Sequence, residues 1–230
     1  MISLSQYYEE NLYPLQDGIL RIVEQCETPF YLTGGTAISR AHYNHRYSDD
    51  LDFFVTNDSK FLDYVKIIIS ALEKSGYVID KESLIKTPIF TSLKVKHNKP
   101  DIFLKLDFVN DLVVHFGDIE RTSLFNRTDN VRNILSNKMG ALFRFAAKDV
   151  ADIREIALHN KFIWGDIMKD ASQKDAGVQL DLLAQLLRGM PEERFNELNW
   201  IKNPSWDVFC KDIQKIAEDM IKTGENSLCK

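Results

Sequence analysis

Asp50 and Asp52, in the run Asp50-Leu51-Asp52-Phe53-Phe54-Val55, have a spacing that suggests chemistry. Residues i and i+2 of a strand project from one face. Leu51, Phe53 and Val55 are apolar, so both acids would stand together on the opposite face. Adjacent carboxylates repel unless a cation lies between them, and hard divalent ions such as Mg²⁺ favour oxygen ligands. An ion shared by carboxylates and phosphates stabilises the charge that moves in nucleotidyl transfer.

A third acid lies in Leu104-Lys105-Leu106-Asp107-Phe108-Val109. Alternation puts Leu104, Leu106 and Phe108 on one face, and Phe103, Lys105, Asp107 and Val109 on the other. If this strand pairs beside the Asp50 strand, three acids converge, enough to hold two ions. Asp107 is then also a candidate base for an incoming hydroxyl. Lys105 shares its face and can either salt-bridge an acid or reach a phosphate.

Gly34-Gly35 supplies a complementary feature. The glycines follow the apolar run Pro29-Phe30-Tyr31-Leu32 and lead into a helical stretch. Free backbone N–H groups at a helix start can face an anion, and absent side chains permit close approach of a triphosphate. Thr36 adds a hydroxyl donor. Taken singly, a Gly-Gly pair is commonly only a turn and an acid-x-acid strand only a solvated edge. The specific signal is their order: apolar strand, Gly-Gly, helix, Asp50-x-Asp52 strand, then an isolated acid in an apolar strand.

The elements that must position these residues are legible in outline. Ser5 to Cys26 reads as a helix restarting near Pro14, with Leu15, Ile19, Ile22 and Val23 as its apolar stripe. Strands are expected over 29–32 and 51–55, with a short helix over 36–42 between them. Ser59 is the expected cap of a helix reaching Ser75. Strand-like runs follow at 77–79, 89–96 and 102–109, with a weaker one at 112–116. Beyond residue 118 only helices are expected, over 130–147, 149–159, 177–187, 192–198 and 206–221. The chain thus divides into residues 1–118, an α/β half, and 119–230, a helical half.

Composition is that of a globular protein: 230 residues, 44% hydrophobic and 27% charged, with a net charge of −5. That balance excludes a general polyanion binder, although a local basic face remains compatible with RNA or DNA. No apolar run approaches the ~18 residues of a membrane span, and no signal peptide is evident. Three widely spaced cysteines and five histidines without ligand spacing argue against disulfides and zinc. A reduced, cytoplasmic protein is the expectation.

The stretch Thr33-Gly34-Gly35-Thr36-Ala37-Ile38, followed by Arg46-Tyr47-Ser48-Asp49-Asp50-Leu51-Asp52, resembles the AbiEii/AbiGii-type toxin nucleotidyltransferases. These belong to the superfamily with the DNA polymerase β-like fold. Lys138, Arg144 and Lys148-Asp149-Val150-Ala151-Asp152 match that family's later Lys, Arg and basic-Asp-x-x-Asp segments. Motif coverage runs from residue 31 to about 156. The last seventy or so residues match no motif.

The resemblance implies an α+β fold: a polymerase β-like core, with a small mixed sheet and flanking helices, followed by an α-helical domain. It implies an NTP substrate, Mg²⁺ as cofactor, and a role as the toxin of a type IV toxin–antitoxin or abortive-infection system with a cognate antitoxin. Some such relatives modify tRNA 3′ ends, which makes RNA an acceptor to consider. Catalysis and metal binding fall to Asp50, Asp52 and Asp107. Nucleotide binding falls to Gly34, Gly35, Thr36, Arg46, Ser48, Lys138, Arg144 and Asp149.

Plainer roles stand beside these. Arg46 and Ser48 could organise the loop before the acidic strand. Lys138 could snorkel from a core-edge helix, Arg144 could pair with a local acid, and Asp149-x-x-Asp152 could cap a helix. Asp49, His42 and His45 read as bystanders, and Trp164, Trp200 and Trp206 as packing groups. The alternatives in function are a small-molecule, antibiotic-type nucleotidyltransferase, a non-catalytic NTP-binding regulator, and a toxin acting through protein contacts.

Overall fold

The computed structural model describes residues 2–97 and 102–229. The chain forms two compact units. The first comprises Met1–His42, Tyr47–Val113 and Ile119–Asp129, the second Tyr43–Arg46, Val114–Asp118 and Asn130–Lys230.

The first unit is built on a five-stranded sheet. Its strands are β1 (Tyr31–Thr33), β2 (Leu51–Thr56), β3 (Val78–Lys86), β4 (Phe90–Lys96) and β5 (Leu104–Asp111), in the spatial order β1-β2-β5-β4-β3. Only the β2–β5 pair is parallel. A parallel neighbour requires a long crossover, here formed by the helix after β2 and the β3–β4 hairpin.

Alternation holds as expected. Leu51, Phe53 and Val55 of β2 and Leu104, Leu106 and Phe108 of β5 are buried, while Asp52, Lys105 and Asp107 are only partly covered. Phe53 stacks on Phe108 with centroids 5.4 Å apart, and Phe30 meets Phe108 edge-on at 5.2 Å. Each fully buried aromatic of this kind contributes roughly 1.5–3 kcal/mol of hydrophobic stabilisation.

The amino-terminal arm begins with α1 (Leu4–Tyr7), passes through a wider π-type segment at Tyr8–Leu12, and continues as α2 (Tyr13–Gln25). Pro14 opens α2 directly after the π-type segment, and a local widening of the helix is a known way to accommodate a missing N–H. Between β1 and β2 the chain coils through α3 (Gly34–Thr36) and a π-type stretch, Ala37–Tyr43, so the helix begins on the glycines themselves.

Helix α4 (Phe61–Lys74) buries Phe61, Val65, Ile68 and Leu72. Its N-cap is Lys60 rather than Ser59: the Lys60 amide donates to Asp58 Oδ1 at 2.8 Å, so an Asp turn organises this start. Strand β3 is longer than its apolar signal, because pairing with β4 carries polar residues into the ladder. The weak strand at 112–116 does not form. Phe116 N instead donates to Asn133 Oδ1 at 3.0 Å, and Gly117 adopts φ +77°.

The second unit is helical: α5 (Val131–Ala141), α6 (Ala147–His159), α7 (Trp164–Lys174), α8 (Leu180–Arg188), α9 (Glu192–Asn196) and α10 (Trp206–Ile221). Helix α7 was not anticipated, although Trp164, Ile167, Met168 and Ala171 bury one face of it at helical spacing. Helices α5 and α6 are separate: a short 3₁₀ turn, Leu142–Arg144, ends on Phe145 with φ +52°. Trp164 is fully buried. Trp206 stacks on Phe209, with Phe195 against both, which bears out packing roles for these tryptophans. Among the described residues no helix is long and apolar enough to cross a membrane.

Candidate active site

The acids meet through strand register. In the β2–β5 ladder Asp52 lies level with Asp107, and in the β1–β2 ladder it lies level with Thr33. Side chains level on neighbouring strands share a face. Asp52 and Asp107 are therefore neighbours on the face away from the Phe53–Phe108 core. Asp50, two residues before Asp52, precedes the first residue of β2.

Gly34 completes this corner. Its φ is +69°, and a Cβ placed there would lie 2.2 Å from Asp52 Oδ2. The glycine is required twice, for its left-handed backbone and for the space the carboxylate occupies. Thr36, fully buried, bonds Ser48 Oγ at 3.0 Å and donates to the Asp50 carbonyl. Gln16 Nε2 donates to the Ser48 carbonyl at 3.0 Å and to that of Asp49 at 3.2 Å. Thr36 and Ser48 thus fix the backbone that presents Asp50. Asp49 accepts from Tyr8 OH at 2.6 Å, which suits a supporting place.

Both oxygens of Asp107 are engaged. Ser92 Oγ donates to Oδ1 and Lys105 Nζ to Oδ2, each at 2.6 Å. Burial pulls the Lys105 pKa down. The hydrogen bond and charge of Asp107, with the charges of Asp50 and Asp52, more than reverse that and leave it raised. Ser92 escaped the sequence reading. Its signal is the alternation Ser92, Lys94, Lys96, which puts it opposite Asp107 on β4.

Among the described residues no three His, Cys, Asp or Glu side chains are gathered closely enough to hold a metal ion. The donor chemistry nevertheless fits a hard divalent cation. Asp52 and Asp107 are oxygen donors in register, Asp50 lies one strand repeat away, and an ammonium already pairs with this set.

The remaining expected residues lie in the second unit, in a buried ionic network. Arg46 grips Asp152 with Nε to Oδ1 at 2.7 Å and Nη2 to Oδ2 at 2.8 Å. Lys138 Nζ bridges Asp149 at 2.7 Å and Asp152 at 2.6 Å. Arg144, with a 60% exposed side chain, closes on Asp149 at 2.9 Å.

His45 is fully buried and its Nε2 meets Asp152 Oδ1 at 2.9 Å. It is no bystander: a sequence gives no warning of a partner 107 residues away. Burial alone would raise the Asp152 pKa. The charges of Arg46 and Lys138, with hydrogen bonds from His45 and Arg46, hold its carboxyl well below the usual range. Burial disfavours charged Lys138, yet Asp152 and Asp149 keep its pKa raised.

The fold is shared with solved nucleotidyltransferase structures. A candidate nucleotidyltransferase from H. pylori superposes with a TM-score of 0.64 at 18% identity, covering 93% of this chain and 96% of that one. JHP933 from Helicobacter pylori gives 0.59 at 18% identity, covering 96% and 94%. MenT4, a nucleotidyltransferase toxin from Mycobacterium tuberculosis, gives 0.59 at 13% identity, covering 95% and 86%. No curated protein matches the chain. The nucleotidyl transferase AbiEii toxin family of type IV toxin–antitoxin systems matches residues 19–219. That span contains every expected catalytic and nucleotide-binding residue, from Gly34 to Asp149, and the chain belongs to this nucleotidyltransferase family.

Proposed function

We propose that this protein transfers a nucleotide from an NTP to an RNA acceptor in a Mg²⁺-dependent reaction, as the toxin of a type IV pair. The observation that carries the reading is Asp52 level with Asp107 on adjacent strands, its carboxylate seated against Gly34. Asp50, Asp52 and Asp107 would hold the divalent ion, which when bound neutralises phosphate charge and orients the phosphates.

The chain's own residues do the rest. The backbone amides at Gly34 and Gly35 face the phosphates, and Thr36 and Ser48 keep Asp50 in place. Asp107 accepts the proton of the attacking hydroxyl, with Ser92 holding its orientation. Within the second unit, Arg46, Lys138 and Arg144 carry three positive charges against the two of Asp149 and Asp152. That excess favours an anion such as a phosphate, with Arg144 the exposed member. Arg46, fixed on Asp152 by two hydrogen bonds, acts as an anchor.

The test is incubation with each of the four labelled NTPs, total cellular RNA and Mg²⁺. Label in RNA supports the reading, and an Asp50→Ala/Asp52→Ala double variant should abolish it while remaining folded. Full transfer by the double variant would end the proposal. Label found only in small molecules would favour the antibiotic-type alternative.

A further inference from the structure

Lys105 occupies an unusual position for a lysine at the edge of a carboxylate site. It stands two residues before Asp107 on β5, so the two side chains share a face. Its ammonium lies 2.6 Å from Asp107 Oδ2. The β2–β5 register, carried back one residue from Leu51–Leu106, sets Asp50 beside Lys105 just as Asp52 lies beside Asp107. On its other side the register partner is Lys94 of β4, a like charge. The ammonium is therefore drawn toward the acids and repelled from the far edge. Its side chain is 41% exposed, which leaves the ammonium an open side toward solvent.

We propose that Lys105 is the built-in counter-cation of the acidic site, which a divalent ion must displace from Asp107 on entry and which then pairs with the bound polyphosphate. With Lys105 and Ser92 on its two oxygens, Asp107 is committed before any metal arrives. Metal entry exchanges one cation for another at the same carboxylate. The freed ammonium stays on the face it shares with Asp50 and Asp52, over which the phosphates of a metal-bound nucleotide would lie. Metal and nucleotide then bind cooperatively, because each favours the arrangement with Lys105 off Asp107. Lys105 is a positioning residue here: it sets the metal threshold and couples it to nucleotide. The inference rests on the metal-dependent reading above.

The test is direct binding of Mn²⁺ to the full chain without nucleotide, followed by electron paramagnetic resonance of the free ion. Wild type is compared with Lys105→Met, Lys105→Gln, Lys105→Arg and Asp52→Asn, with folding checked by circular dichroism. Lys105→Met and Lys105→Gln should bind Mn²⁺ roughly two- to fivefold tighter, the scale of one partly exposed charged partner removed. They should also lose most of the gain in Mn²⁺ affinity that inorganic triphosphate gives wild type. Lys105→Arg should stay near wild type, and Asp52→Asn should bind weakly. Equal or weaker Mn²⁺ binding by both neutral variants overturns the role of Lys105. If no protein, wild type included, binds Mn²⁺, the metal-dependent reading fails and this inference with it.

Discussion

Gly34 and Asp52 are locked together: the Asp52 carboxylate lies where the first side-chain carbon of any other residue at position 34 would lie. Gly34→Ala therefore meets both a positive φ and a collision. The backbone part alone costs about 1–2 kcal/mol, and displacement of Asp52 should remove transfer activity beyond that loss. Chemical denaturation and labelled-NTP turnover measured together separate the two effects. Wild-type turnover in Gly34→Ala would show that the Asp52 position is not critical.

Asp107→Asn keeps the shape of the side chain and the hydrogen bond from Ser92 while removing the charge. A group acting as general base should lower kcat on the order of 10²–10⁴-fold when lost. Circular dichroism should remain that of wild type, because the residue lies on the face away from the apolar core. A kcat within twofold of wild type would exclude Asp107 from proton transfer.

Thr36→Val removes a buried hydroxyl that bonds both Ser48 and the Asp50 carbonyl. Leaving those partners unsatisfied should cost about 1–3 kcal/mol of stability. Because the bond fixes the backbone at Asp50, kcat should fall while Thr36→Ser retains most of it. Urea titration and steady-state kinetics on both variants check this.

Asp152→Asn breaks the ionic network at its centre. Removing one partner of a buried pair costs about 3–5 kcal/mol, since Arg46 loses its counter-charge and Lys138 keeps only Asp149. The pH dependence has a definite sign. The folded-state pKa of Asp152 is depressed below its ordinary 3.8, so its contribution is present above that value and lost as pH falls through the lower folded one. The Lys138 pKa is raised, so its contribution persists below 10.5 and is lost at more alkaline pH. Denaturation across pH 2–7 should show the acid loss in wild type, and a flatter acid limb in Asp152→Asn.

Local pattern carried much of the architecture into the sequence. The alternation of Leu104, Leu106 and Phe108 against Lys105 and Asp107 is a period-2 signal, and the strand obeys it. Helix α7 was less legible because the acidic Asp170 falls between Met168 and Ala171 of its buried set. Asp170 is nonetheless buried, and Arg132 donates to it at 2.6 Å. Ser59 is not the cap: the Asp58 side chain accepts from Lys60 N and its carbonyl from Phe61 N. Phe145, with its positive φ, broke a helix that its residue types would have continued.

By itself the sequence determined which side chains share a strand face and where the glycines fall, since those follow from backbone geometry within a few residues. Only the tertiary structure decided that Asp52 lies level with Asp107 on a parallel neighbour, and that His45 and Arg46 close on Asp152. Strand register and the pairing of buried charges depend on packing between distant segments. No local period encodes which carboxylate, a hundred residues away, will be desolvated beside which cation.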